Sequence, residues 1–188
     1  MPTLHVLAGP NGAGKSTFVS RVLQPATHLP FINADVIAAE RWPDGPLEHG
    51  YDASKAAATE RQRLIDGHAS FITETVFSHP SKVALVDQAD ALGYLVRLHV
   101  ILVPVDLSVA RVADRVRQGG HDVPEGKIRA RYDRLWRFVA QASMTASRAD
   151  FYDNSRASTP FRMVAAYTSG QRAGEASWPI WTPRVLTG

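Results

Sequence analysis

Eight residues near the amino terminus, Gly9-Pro10-Asn11-Gly12-Ala13-Gly14-Lys15-Ser16, constrain this chain more than anything else in it. They match the pattern G-x-x-x-x-G-K-[ST] in full, between a short apolar run, Thr3 to Ala8, and helix-forming residues from Lys15 to about Leu23. Glycines so spaced let successive backbone N–H groups turn towards one anion, and a helix starting near Lys15 adds the positive end of its dipole. The loop is expected to cradle the phosphates of a nucleotide, with Thr17 following Ser16 at the same helix start. Lys15 would reach the β- and γ-phosphates as a point charge, and the Ser16 hydroxyl would ligate the bridging Mg²⁺. ATP and Mg²⁺ are the cofactors this implies.

The rest of the chain reads as strands alternating with helices. Phe31 to Asn33 and Ser70 to Thr73 look like short strands, closed by Asp35 and Glu74, and Tyr94 to Val103 gives the longest strand signal before Pro104 stops it. Helices are expected over Asp52 to Asp66, Ser81 to Leu92, Ser108 to Gln118 and, after a break at Gly119-Gly120, from Pro124 onward. Two late strands are expected at about Ala149 to Tyr152 and Met163 to Thr168. This alternation implies an α/β fold, a P-loop NTPase three-layer α/β/α sandwich with a mostly parallel sheet and ligands at the strands' carboxyl ends. Thr168-Ser169-Gly170-Gln171-Arg172 has the look of an ABC-transporter ATPase signature, but too little chain follows it, and a loop after the last strand is the better reading.

With 188 residues, one domain over 1–188 is expected, with a core of about 3–170 and an extension over 171–188. No run of apolar residues is long enough for a membrane span, so no membrane partner and a cytoplasmic location are expected. The absence of cysteine excludes disulfides and thiolate metal sites. A net charge of +3, with arginines concentrated between Arg111 and Arg137, suits polyanionic ligands.

Phosphoryl transfer to an alcohol needs an in-line hydroxyl, a proton acceptor and cations for the equatorial oxygens. Asp35 is expected as general base, although its position also fits a cap for a helix starting at Val36. Glu74 is placed either near Mg²⁺ or on the substrate, with Thr75 as accessory. Arg111 and Arg115 fall on one helix face, and the break after Gln118 suggests an arginine-rich lid. Arg115, Arg117, Arg129 and Arg131 are candidates for stabilising transferred charge, and His121 for a loop or substrate contact rather than a metal ligand.

Taken together, Gly9 to Thr17, Asn33-Ala34-Asp35, Thr73-Glu74-Thr75, the arginines Arg111 to Arg131 around Gly-Gly-His-Asp-Val-Pro, and Tyr152-Asp153-Asn154-Ser155 resemble the zeta-toxin-like P-loop kinases over roughly residues 3 to 170. The resemblance implies a nucleoside-monophosphate-kinase-like fold and a kinase whose toxin members phosphorylate the 3′-hydroxyl of UDP-N-acetylglucosamine until an antitoxin binds. It maps the base to Asp35, the acidic residue after the third strand to Glu74 and the first lid arginine to Arg115. His121 stands near the expected place of a second arginine, whose role passes to Arg129 or Arg131. It also places Asn154 near the adenine, where a plain turn after Tyr152 is the alternative. The partners implied are a small-molecule phosphoryl acceptor and an antitoxin protein. A nucleic-acid or nucleotide acceptor ranks lower, because aromatic residues are sparse among the arginines, and a binding module without transfer is the non-enzymatic alternative.

Overall fold

Along Thr3–Ala8 the side chains divide between two cores: Leu4, Val6 and Ala8 enter one, and Leu7 the other. This run is β1, and period-two alternation on a strand buried on both sides is what fixes the two faces of the sheet. The computed structural model describes residues 1–46, 48–120 and 122–188. After β1 come α1 (Lys15–Phe18), a π-helical segment (Val19–Leu23), α2 (Gln24–Thr27), β2 (Phe31–Ile32), α3 (Ala34–Arg41), α4 (Gly50–Asp66), β3 (Phe71–Thr75) and α5 (Ser81–Ala91). They are followed by β4 (Leu95–Leu102), α6 (Val105–Arg117), α7 (Glu125–Thr145), β5 (Arg148–Asp153), β6 (Arg162–Thr168), β7 (Gln171–Arg172) and α8 (Arg184–Thr187).

The sheet has seven strands in the order β2-β3-β1-β4-β5-β6-β7. From β2 to β5 every pairing is parallel, whereas β6 and β7 add on antiparallel. The larger core lies between the sheet and α4, α5 and α7, through residues such as Ile65, Val86, Leu135 and Val139. On the opposite face Phe18, Val19 and Leu23 pack against Leu7, Ile72 and Ile101. Each fully buried aliphatic side chain contributes roughly 1.5–3 kcal/mol. The fold is the α/β P-loop sandwich that the alternation implied.

Several boundaries differ from expectation. The first helix does not stop near Leu23 but runs on to Thr27, the wider π-helical turn just ahead of Pro25 accommodating a residue that has no N–H to give the ladder. Helix α6 begins directly after Pro104 rather than at Ser108, and α4 begins at Gly50. The Ser169-Gly170 pair, with φ of 47° and 75°, makes the tight turn of a β6–β7 hairpin where a loop was expected. The segment after β7 packs on the core: Trp178 meets the Phe151 ring edge-on at 5.1 Å and Leu186 of α8 is buried.

Because β1 lies between β3 and β4, the loop leaving β1 sits beside the carboxyl ends of both neighbours. Register pairs Ala8 with Thr75 and Leu7 with Glu74, so the acidic residue of β3 arrives level with the start of the glycine-rich loop.

Candidate active site

The loop between β1 and α1 is held from behind. Asn154 Nδ2 donates to the Ala13 carbonyl at 2.8 Å, the Ser108 hydroxyl donates to the Asn11 carbonyl, and Lys15 Nζ donates to the Pro10 carbonyl at 2.9 Å. The Ala13 N–H closes on the Pro10 carbonyl at 3.2 Å, and the loop's other N–H groups are those that could meet an anion. Two glycines are required sterically. A Cβ on Gly9 would come within 2.5 Å of the Ile101 carbonyl oxygen, and one on Gly14, whose φ is 94°, within 2.6 Å of Asn154 Nδ2.

Lys15 is 6% exposed, with Nζ 3.8 Å from Glu74 Oε1. Burial lowers its pKa, the charges of Glu74 and Asp35 oppose that, and Arg115 and Arg131 add to it. Ser16 Oγ donates to Glu74 Oε2 at 2.7 Å, and Asn33 Nδ2 donates to the same oxygen at 3.1 Å. Asn33 Oδ1 in turn accepts the Asp35 N–H at 2.7 Å and caps α3. The cap of this helix is therefore Asn33, while Asp35 lies in its first turn with its carboxylate open to the cleft.

A cleft of about 910 Å³ brings together Asn11, Gly12, Gly14, Lys15, Ser16 and Thr17 of the loop and α1. Asn33, Asp35, Glu74, Thr75, Arg111, Arg115 and Arg131 line it as well. Thr75 also shapes the chain beyond β3, for its Oγ1 accepts the N–H of Phe77, a buried residue held at φ 68°. Arg131 is half-buried; burial and Arg134 lower its pKa, and Asp35 opposes this.

Two candidate arginines are held elsewhere. Arg117 pairs with Asp114, and Arg129 pairs with Asp106 at 2.9 Å and Glu125 at 2.8 Å, so neither lines the cleft. Of the two arginines put forward for the second lid position, Arg131 lines the cleft and Arg129 does not. His121 lies outside the described residues. Asn154, placed near the adenine by resemblance, braces the loop through Ala13, with its Oδ1 accepting the Phe161 N–H at 3.3 Å. The break after α6 is closed by the Gly120 N–H on the Arg115 carbonyl at 2.9 Å, and Gly120 has no room for a Cβ beside the Arg115 side chain.

The opposite wall was not anticipated. Tyr51 and Arg61 of α4, and His79 and Lys82 at and within the start of α5, line the same cleft, as does Lys127 of α7. In the sequence these are ordinary helix-surface or loop residues, and only the α4–β3–α5 crossover gathers them.

The donor set fits a nucleotide triphosphate with Mg²⁺. A buried ammonium stands inside a glycine loop whose carbonyls are engaged, and a helix-start hydroxyl bonds to a carboxylate that is a hard-cation ligand type. A family model described as an AAA domain matches residues 4–137. The chain belongs to this AAA-domain P-loop family.

This AAA-domain protein is 33% identical over 125 residues to an uncharacterized protein of Haemophilus influenzae, which spans 66% of this chain and 88% of that one. Among solved structures it shares its fold with the AvrRxo1-ORF1:AvrRxo1-ORF2 complex, at TM-score 0.70 and 17% identity over 92% of this chain. The chain spans 60% of the length of that partner in the superposition, and the same complex has been solved with ATP. The PezAT toxin-antitoxin structure of Streptococcus pneumoniae superposes at TM-score 0.64 and 17% identity, over 81% of this chain and 67% of that one. A kinase-like structure from Chloroflexus aurantiacus matches at TM-score 0.56 and 17% identity, over 71% and 80%. These similarities show a shared α/β P-loop fold, in agreement with the fold expected from the zeta-toxin-like resemblance. Among the described residues no helix is long and apolar enough to cross a membrane.

Proposed function

We propose that the chain is an ATP-dependent phosphotransferase that moves the γ-phosphoryl group to a hydroxyl of a small acceptor bound in the cleft. The observation that carries this reading is the convergence of Asp35 with the buried Lys15 and with Arg131 in one cavity, close enough for Asp35 to influence the pKa of both cations.

The loop residues Gly9 to Ser16, Lys15 among them, would hold the phosphates, and Ser16 with Glu74 would hold Mg²⁺, which would supply charge neutralisation. Asp35 accepts the proton of the acceptor hydroxyl as its oxygen bonds to the γ-phosphorus and the bridging oxygen departs on ADP. Arg115 and Arg131 line the cavity where negative charge accumulates on the transferred group.

By resemblance the acceptor is a nucleotide-activated sugar such as UDP-N-acetylglucosamine or a related metabolite. The fold shared with two complexes, one of them described as toxin-antitoxin, supports an antitoxin protein as partner. The test is transfer of labelled γ-phosphate from ATP to a panel containing UDP-N-acetylglucosamine, nucleotides and RNA ends. Labelled sugar nucleotide, lost in Asp35→Asn, supports the reading. Labelled RNA ends, weakening steeply with salt, would move the acceptor to nucleic acid. ATP binding with no labelled product would leave a nucleotide-dependent binding module.

A further inference from the structure

Arg61 of α4 and Lys82 of α5 come from helices on the same face of the sheet, each with its main helical contact elsewhere: α4 packs on α3, and α5 on α7. Between them remains a furrow of about 230 Å³ that opens beside the main cleft, and Arg61 and Lys82 line both. Its outer part is polar, with Gln62, Ser81 and Gln88 in the lining and a Gln88 Nε2 to Gln62 Oε1 hydrogen bond of 3.3 Å joining the helices.

The neighbouring acids of α4 are engaged elsewhere. Glu60 is gripped by Arg63, and Asp66 accepts from Gln62. Among the described residues neither Arg61 nor Lys82 forms an ion pair. Both are half-buried, and burial lowers the pKa of each, with Arg61 lowering that of Lys82 further. Two like charges brought together and partly withdrawn from water without a counter-charge are a destabilising arrangement that an anion would relieve.

We propose that Arg61 and Lys82 form an anion subsite that grips a doubly charged oxyanion, a phosphate ester of the acceptor remote from the hydroxyl facing Asp35. This rests on the transferase reading of the same cleft and gives its acceptor a chemical class. A guanidinium and an ammonium arriving from two helices suit the several oxygens of a phosphate better than the two of a carboxylate. The neutral part of the acceptor then spans the cavity floor between this pair and Asp35, and the furrow takes what lies beyond the phosphate.

The test reads the pair directly. The protein is saturated with Mg²⁺ and a non-hydrolysable ATP analogue, so the glycine loop is occupied, and its lysines are acetylated with an active ester and followed by peptide mass spectrometry. Inorganic phosphate is expected to slow modification of Lys82 about tenfold while exposed Lys55 is unaffected. Acetate at matched ionic strength should not protect, and Arg61→Gln should abolish the phosphate effect. Equal rates with and without phosphate, or equal protection by acetate, would overturn the proposal.

A kinetic arm separates this from the transferase reading. With a phosphorylated acceptor from the panel above, Arg61→Gln and Lys82→Gln should each raise its KM at least tenfold, with kcat and the KM for ATP nearly unchanged. A loss confined to kcat overturns the subsite. Protection of Lys82 by phosphate without transfer to any acceptor would sink the transferase reading and leave the subsite standing.

Discussion

Ser16 and Glu74 are joined by a 2.7 Å hydrogen bond from the serine hydroxyl to Oε2, so the residue meant for a cation already faces a carboxylate from the neighbouring strand. Because the hydroxyl spends its proton on Glu74, its lone pairs stay free for a cation, and Ser16 and Glu74 would hold Mg²⁺ together without breaking this bond. Glu74→Gln keeps the shape and removes the charge. Its kcat is expected to fall about 10–100-fold, with the Mg²⁺ concentration for half-maximal rate rising in step. Magnesium titrations of wild type and variant check this, and an unchanged Mg²⁺ requirement would place Glu74 on the acceptor instead.

Asp35 is fixed in direction by Asn33, which accepts its N–H and donates to Glu74. Asp35→Asn is expected to lower kcat about 10²–10⁴-fold while ATP affinity stays within a factor of about three, since the phosphates rest on the loop. Asn33→Ala, by contrast, loses a helix cap of about 1 kcal/mol and lets Asp35 wander, so kcat and thermal stability fall together. Calorimetric ATP binding set beside steady-state rates distinguishes the two patterns.

Asn154 ties the loop to the chain beyond β5, one end of its amide on Ala13 and the other on Phe161. Asn154→Leu leaves the Ala13 carbonyl and the Phe161 N–H without this partner, at a cost of about 1–3 kcal/mol for each buried group orphaned. ATP affinity should fall about tenfold or more, because the loop loses its support. Urea unfolding read against nucleotide titration measures both, and a destabilised variant with unimpaired ATP binding would contradict the bracing role.

Beneath α1, His5 Nδ1 lies 3.0 Å from His99 Nε2, with Phe18 and Tyr152 against the His99 ring. Burial, then Arg97, holds the His5 pKa down at about 4; burial, then His5, Arg97 and Arg148, holds that of His99 at about 3. A folded pKa below the unfolded value of about 6.5 means that the unfolded chain takes up protons first as pH falls. Stability from this pair is therefore complete above about pH 6.5 and is lost progressively on acidification towards pH 3 to 4. Urea midpoints at pH 7.5 and 5.0 should differ in wild type, and the difference should shrink in a His5→Gln, His99→Gln variant.

The glycine loop, the strand that leads into it and the sandwich were legible because local chemistry alone specifies them: one motif, one apolar run, one alternation. Asp35, Glu74, Arg111, Arg115 and Arg131 could be named because they stand at strand ends or on an arginine-rich helix pair. Arg117 and Arg129 share that composition, yet Asp114, Asp106 and Glu125 draw them away from the cleft; the i,i+3 and i,i+4 acids were legible as partners, whereas Asp106 meets Arg129 only in the fold. Arg61, Lys82 and Tyr51 were illegible for the opposite reason. Nothing near them in the chain marks them, and a crossover connection makes them neighbours. The histidine pair, on adjacent strands 94 residues apart in sequence, also becomes visible only in the paired sheet.

The brace from Asn154 to Ala13 ties residues 141 positions apart. During synthesis the whole glycine motif leaves the ribosome early, but it cannot be locked into its phosphate-binding shape until β5 has been made and has paired with β4. A nascent chain halted near residue 140 would display every letter of the motif and still be a poor trap for cellular ATP. The glycine loop thus gains this brace only when most of the sheet exists, so a truncation between the loop and Asn154 weakens its support without touching the motif itself.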